Sequence, residues 1–188
     1  MTGGGLGRVR AFIALPLDPP ALERLRALIE SLGATTPGIR WVRPESLHLT
    51  LRFLGATEAD RAQSVIGRVQ QEAAATPAAA LPLGSLGLFP ERGAPRVLWV
   101  GLALPPPLLA LQQACEAAAR AEGFAPEERA FSPHLTLGRW SDRARRPELP
   151  AVSLGDVRLE TLVLYRSQPQ KGGSVYTRMF SLALGGVG

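Results

Sequence analysis

His48-Leu49-Thr50-Leu51 is repeated letter for letter as His134-Leu135-Thr136-Leu137. Ser-Leu precedes the first copy and Ser-Pro precedes the second, and the chain's 188 residues contain only these two histidines. The odds that Leu-Thr-Leu follows a given histidine by accident are roughly one in a thousand, so we interpret the tetrapeptide as an internal repeat. We therefore expect a fold built around two equivalent strands.

Alternation along each motif assigns its residues to two faces. Side chains i and i+2 of a β-strand point the same way, so the two leucines of each motif share one face and anchor the strand in a core. His48 with Thr50, and His134 with Thr136, share the opposite face. If a pseudo-twofold axis relates the strands, the polar faces meet across one cleft.

Apolar patterns along the chain predict the element order β-α-β-α-β-β-α-β-β-β, with the second helix over residues 57–75 and a single strand over residues 157–166. A strand–helix–motif-strand unit occurs twice in this order, over residues 10–54 and 96–139. The pattern predicts the α+β class, with one bilobal domain over residues 1–188. We expect two pseudo-twofold-related antiparallel sheets, with helices on their outer faces and a central cleft between them.

Composition excludes several classes of protein. No apolar run approaches the 18 residues of a membrane helix, and the first residues do not resemble a signal peptide. Cys115 is the only cysteine, so it cannot form an intrachain disulfide, and we interpret it as a small buried helix residue in a cytoplasmic protein. The net charge of +5 is spread along the chain without a dense basic tract, so the composition does not indicate an extended surface that binds a long nucleic acid.

Two histidines and two threonines on one cleft suit phosphate chemistry. Imidazole has an ordinary pKa near 6.5, so one ring can act as general base while the other acts as general acid. The threonine hydroxyls can hold the non-bridging oxygens of a phosphate. Arg52 lies two residues after Thr50 and shares its face if the strand stays regular, whereas Gly138 can bend the second strand and re-aim Arg139.

Two other interpretations compete with this chemistry. Either histidine taken alone is more often a structural or surface residue, but the shared flanking pattern argues against that interpretation. A catalytic zinc ion usually has three protein ligands, and the acids nearest to the motifs, Glu45 and Asp142, match no ligand spacing. We therefore expect neither a metal ion nor a cofactor.

The paired motif resembles the 2H phosphoesterase superfamily, and within it the RNA 2′,3′-cyclic phosphodiesterases, which are LigT-like proteins also called 2′-5′ RNA ligases. The stretches that carry the resemblance cover nearly the whole chain: residues 10–17 (RAFIALPL), 41–55 (WVRPESLHLTLRFLG), 96–102 (RVLWVGL), 131–139 (FSPHLTLGR), 164–167 (LYRS) and 172–176 (GGSVY).

The resemblance implies a bilobal fold in which the two histidines face each other, and metal-independent opening of a 2′,3′-cyclic phosphate to a 2′-phosphate. It implies that His134 is the base that activates water and that His48 is the acid that protonates the 3′ oxygen; the residues alone leave this assignment open. Thr50 and Thr136 would bind the phosphate. Candidate substrate contacts are Arg52, Arg139 and Tyr176.

The expected partners are RNA ends or small nucleotides that bear a 2′,3′-cyclic phosphate, bound by a monomer. A second hypothesis is a 2′-5′ RNA ligase that runs the same chemistry in reverse. Nothing resembles a nucleotidyl-transfer motif around the single lysine, Lys171, so any joining is expected to be weak. A third hypothesis is a non-catalytic protein that binds RNA ends or nucleotides, although a binder does not need both histidines.

Overall fold

The structure is a computed structural model that describes residues 7–170 and 173–185; Lys171 lies outside them. The described residues form nine β-strands, four α-helices and one 3-10 turn at Pro44–Ser46. The strands are β1 (Arg8–Pro16), β2 (Ile39–Trp41), β3 (His48–Glu58), β4 (Ala79–Phe89), β5 (Val97–Leu102), β6 (His134–Trp140), β7 (Asp156–Leu159), β8 (Thr161–Gln170) and β9 (Gly173–Ala183). The helices are α1 (Pro19–Gly33), α2 (Ala59–Arg68), α3 (Gln70–Ala75) and α4 (Pro106–Ala121).

The sheet has two related halves that meet at the motif strands. Its antiparallel strands follow the order β7-β4-β5-β6-β3-β1-β8-β9, and β2 pairs with β6. Reading outward from the centre, β6, β5 and β4 on one side correspond to β3, β1 and β8 on the other. The predicted α+β class with antiparallel strands and pseudo-twofold-related parts is confirmed, and the two predicted sheets are the halves of one continuous sheet. The structure adds that the two halves join edge to edge through β3 and β6.

The sheet also curls on itself. Only Glu160 separates β7 from β8, although these strands take the first and seventh places in the sheet order. Consecutive Cα atoms lie about 3.8 Å apart, so the two positions can be this close only if the sheet bends into a half-barrel. Sequence patterns predicted one strand over residues 157–166, because neither glycine nor proline separates the two strands and nothing local marks their different partners.

Helices cover the convex face of the sheet, and the motif leucines point toward them. Leu49, Leu135 and Leu137 have no exposed surface and Leu51 is 3% exposed. Each such side chain contributes about 1.5–3 kcal/mol through burial. Cys115 is fully buried in α4, as predicted, and burial raises the pKa of its thiol to about 12.

Two smaller departures from the predicted elements concern a short strand and a helix. The short strand β2 was not predicted, and the predicted helix over residues 57–75 is interrupted at Val69, which separates α2 from α3.

Among residues 7–170 and 173–185, no helix combines the length and apolarity that crossing a membrane requires.

Candidate active site

The two motifs lie side by side at the centre of the sheet. β3 and β6 are antiparallel and pair at Leu49 and Leu135. One step along this register in either direction sets His48 opposite Thr136 and Thr50 opposite His134. Cβ atoms of directly opposite residues in an antiparallel pair lie about 4.5–5.5 Å apart. The structure thus brings all four polar side chains onto one concave face, as the alternation predicted.

Each histidine ring is held by the same backbone contact. Nδ1 of His48 lies 2.7 Å from the carbonyl oxygen of Ser46, and Nδ1 of His134 lies 2.7 Å from that of Ser132. A carbonyl oxygen can only accept a hydrogen bond, so Nδ1 carries the proton in both rings. In the neutral ring this leaves the lone pair on Nε2, the nitrogen that can exchange protons with a ligand.

Aromatic rings pack around both imidazoles. The ring centroid of His48 lies 4.7 Å from that of Phe12 and 5.2 Å from that of Tyr176, which it meets edge-on. His134 meets Phe89 edge-on at 5.2 Å. These contacts restrict rotation of both imidazoles, and on the His48 side they shield the ring from water.

The environment of His48 disfavours its charged form. Burial is the main cause that lowers the pKa of His48 to about 4. The hydrogen bond to the Ser46 carbonyl acts in the opposite direction, and the nearby Arg139 and His134 lower the pKa further. His48 is therefore neutral at neutral pH in the ligand-free protein. An anion bound between the histidines would favour protonation of its Nε2.

The prediction that Arg52 shares the face of Thr50 is wrong. Ala14 of β1 pairs with Thr50 and Ile13 pairs with Arg52, so Leu51 is an extra residue that forms a β-bulge. The bulge reverses the alternation and turns Arg52 toward the helices, where it is 4% exposed. Its Nε lies 2.7 Å from Glu116, so the side chain pairs with an acid inside the fold rather than facing the cleft.

The second motif contains the same bulge. Trp99 of β5 pairs with Thr136 and Leu98 pairs with Gly138, so Leu137 is the extra residue. In both strands the residue five positions after the histidine returns to the concave face. Those residues are Phe53 in β3 and Arg139 in β6.

Arg139 and Tyr176 both reach the site. Nη2 of Arg139 lies 3.5 Å from Oγ1 of Thr136, and the Arg139 charge lowers the pKa of His48. Burial raises the pKa of the Tyr176 phenol and the nearby Arg139 partly offsets that rise. The phenol therefore keeps its proton at neutral pH.

Sequence reasoning missed Phe53, which it placed in the first motif strand without giving it a role. Phe53 is 56% exposed, and its ring centroid lies 6.0 Å from that of Phe12. Aligning the two repeats position by position would have revealed it, because Phe53 corresponds to Arg139.

The assembled face offers two imidazoles, two hydroxyls and one guanidinium, a set that suits a phosphate. Within residues 7–170 and 173–185, no group of three or more His, Cys, Asp or Glu side chains is placed to hold a metal ion.

Comparisons with known proteins place the chain among phosphoesterases of one family. The model of the LigT like Phosphoesterase family matches residues 15–99 and 102–176. The RNA 2′,3′-cyclic phosphodiesterase of Methanothermobacter thermautotrophicus is 29% identical over 92% of this chain and 97% of its own length. The protein of the same name from Aquifex aeolicus is 30% identical over 95% and 98%. The crystal structure of E. coli LigT complexed with 3′-AMP superposes with a TM-score of 0.78 at 27% identity, covering 95% of this chain and 99% of that one.

Proposed function

Because the chain belongs to the LigT-like phosphoesterase family, we propose that it hydrolyses 2′,3′-cyclic phosphate ends of RNA to 2′-phosphates by two-histidine acid–base catalysis. The observation that carries this proposal is the pairing of Leu49 with Leu135, which faces the two His-x-Thr motifs toward each other. The shared name of the relatives supports the substrate class. All the residues come from one chain, so a monomer suffices.

The reaction is an in-line displacement at phosphorus. The cyclic phosphate lies between the histidines, and Nε2 of His134 removes a proton from a water molecule as its oxygen attacks phosphorus. The bond from phosphorus to O3′ breaks, and O3′ takes a proton from Nε2 of His48. The products are a 2′-phosphate and a 3′-hydroxyl, and each proton transfer contributes roughly 10²–10⁴-fold.

Thr50, Thr136 and Arg139 act on the charge that grows on the non-bridging oxygens. The two hydroxyls donate hydrogen bonds to these oxygens, and the guanidinium of Arg139 supplies a positive charge beside Thr136. Phe53, exposed on the same face, offers an aromatic platform on which the terminal base can stack.

The acid role of His48 depends on the substrate. The ring is neutral in the free protein because its pKa is about 4, so it must gain a proton when the anionic cyclic phosphate binds. A cyclic substrate with sulfur in place of O3′ tests this role, because a thiolate leaves without being protonated. Such a substrate should restore much of the activity of His48→Ala and little of that of His134→Ala. Rescue of His134→Ala instead would reverse the two roles.

The primary test is product analysis on an oligonucleotide with a 2′,3′-cyclic end. We expect a 2′-phosphate from the wild type, in the presence or absence of EDTA. His48→Ala and His134→Ala should each lose the activity while circular dichroism shows an unchanged fold. Full activity in either variant would contradict the mechanism, and loss of wild-type activity with EDTA would favour a metal-dependent reaction.

RNA joining is the second candidate, because a 5′-hydroxyl can replace water as the nucleophile in the same step. The product is then a 2′-5′ linkage. Mixing two RNA halves with 2′,3′-cyclic and 5′-hydroxyl ends, and scoring joined against hydrolysed product, separates the two outcomes. We expect hydrolysis to dominate, because water is present at a far higher concentration than the second RNA.

A further inference from the structure

A recess of about 250 Å³ adjoins His48 on the side away from β6. Its walls come from the end of β1, the 3-10 turn before β3, and strands β8 and β9, all on the β1 side of the motif pair. The polar lining residues besides His48 and Ser46 are Arg43, Glu45, Tyr165, Tyr176 and Arg178. We call this feature the arginine recess. His134 does not line it.

The arginine recess has the charge and the donors to hold an anion. In the described part of the chain, no carboxylate lies within 4 Å of Arg43 or Arg178. Glu45 is the single acid in the lining, so the two guanidiniums leave a net positive charge.

The two phenols add neutral donors to this charge. Burial raises the pKa of Tyr165 and of Tyr176, so both hydroxyls keep their protons at neutral pH. Arg178 lies close enough to Tyr165 to offset part of that rise, as expected for neighbours paired across β8 and β9. A phosphate in the recess can therefore meet guanidinium and hydroxyl donors together.

The direction of the reaction indicates which part of the substrate reaches the recess. In an in-line displacement the attacking and leaving oxygens lie on opposite sides of phosphorus. With His48 protonating O3′, the ribose lies on the His48 side, together with its base and its 5′ linkage. Phe53 lies beyond Thr50 toward the other end of β3, where its ring can stack on the base. The arginine recess is then the part of the His48 side that is left to bind the 5′ linkage. The positive charge of the recess complements the negative charge of a phosphodiester.

We propose that the arginine recess is a second anion subsite, which binds the phosphodiester on the 5′ side of the cyclic end and so selects oligonucleotides over cyclic mononucleotides. This inference rests on the proposed function, because the orientation of the ribose follows from the acid role of His48. The residues that set the selection are Arg43 and Arg178, with Glu45 opposing them.

A pair of dinucleotides tests the subsite. Both end in a 2′,3′-cyclic phosphate; one has a natural internal phosphodiester and the other has an uncharged methylphosphonate at the same place. For the wild type we expect kcat/KM to be about tenfold higher on the charged substrate, the range of charge-assisted hydrogen bonds. The Arg43→Gln, Arg178→Gln double variant should bring this ratio close to one, and Glu45→Gln should raise it.

Arg166→Gln is the matched control. Arg166 is an exposed arginine of β8 next to Tyr165, so it faces away from the recess, and its loss should leave the ratio unchanged. The subsite is overturned if the wild type does not distinguish the two substrates, or if the double variant slows both equally.

Failure of the proposed function has a different signature, which is that the wild type hydrolyses neither dinucleotide. In that case, calorimetric titration with the two corresponding dinucleotide 2′-phosphates still tests the recess. A tenfold affinity ratio that disappears in the double variant supports the subsite, and equal affinities in the wild type refute it.

Discussion

Arg52 and Glu127 form an ion pair in which Nη1 lies 2.6 Å from the carboxylate. The pair connects the strand that follows the first histidine to the loop that precedes the second. Arg52 also donates to the backbone carbonyl of Ala125 in the same loop. The side chain is thus a link between the two motif segments, through two residues that are separated by 75 positions in the chain.

Arg52→Met is expected to destabilise the protein by about 3 kcal/mol, because it leaves Glu116 without its partner in a largely buried position. Urea denaturation measures the change. Arg26→Met is the control: Arg26 pairs with Glu23 on the surface of α1, and its loss should change the free energy of unfolding by less than about 0.5 kcal/mol. Equal effects of the two substitutions would show that Arg52 is not a structural link.

The His48 ring should titrate near pH 4 in the free protein, which NMR of the ring protons can follow. Arg139→Gln removes a positive charge that lowers this pKa, so the midpoint should move up. Inorganic phosphate should also raise it, by favouring the protonated ring. Arg158→Gln, on β7 outside the site, should have no effect. A wild-type midpoint near 6.5 would contradict the burial of the ring.

Phe53→Ala should weaken binding of a nucleotide 2′-phosphate by about 1–3 kcal/mol, the contribution of one base stacked on an aromatic ring. Because Phe53 is 56% exposed, its loss should hardly alter the melting temperature. Phe180→Ala is the control, since Phe180 is 41% exposed and pairs with the buried Leu164 on the other face of the sheet. If both variants bind like the wild type, Phe53 is not the platform for the base.

Gly138→Ala should destabilise the protein by about 1–3 kcal/mol through overpacking. A Cβ atom at this position would lie 2.6 Å from Cδ1 of Ile39 and 3.1 Å from the carbonyl oxygen of Arg40. Adding Ile39→Ala should recover part of this penalty in a double-mutant cycle, because it removes the nearer contact. At Gly67, in α2, a Cβ atom meets nothing within 4 Å, and Gly67→Ala should instead stabilise the helix. Additive effects at positions 39 and 138 would exclude the clash.

Local alternation was sufficient to predict the motif strands and the faces of their first four residues. It failed at Arg52, because a bulge depends on how a strand meets its neighbour, and that pairing leaves no local signal. The contact between Leu49 and Leu135 and the pairing of Arg52 with Glu127 are likewise set by tertiary structure. The repeated motif gave more information about the fold than alternation did, since it indicated that two distant segments adopt the same conformation.

The same limit applies to the site. His48, His134, Thr50 and Thr136 follow from the repeated letters. The arginine recess combines residues from the 3-10 turn, β8 and β9, whose proximity depends on the curl of the sheet.

The strand order has a consequence for synthesis on the ribosome. β1 lies between β3 and β8, so its second partner is made more than 100 residues after the first. At ordinary translation speeds the nascent chain carries β1 with one open edge for roughly 5–20 s. Because β1 is strongly apolar, that edge can pair with other chains in the meantime. Protein made slowly, or truncated before β8, is therefore the form most exposed to aggregation and to capture by chaperones.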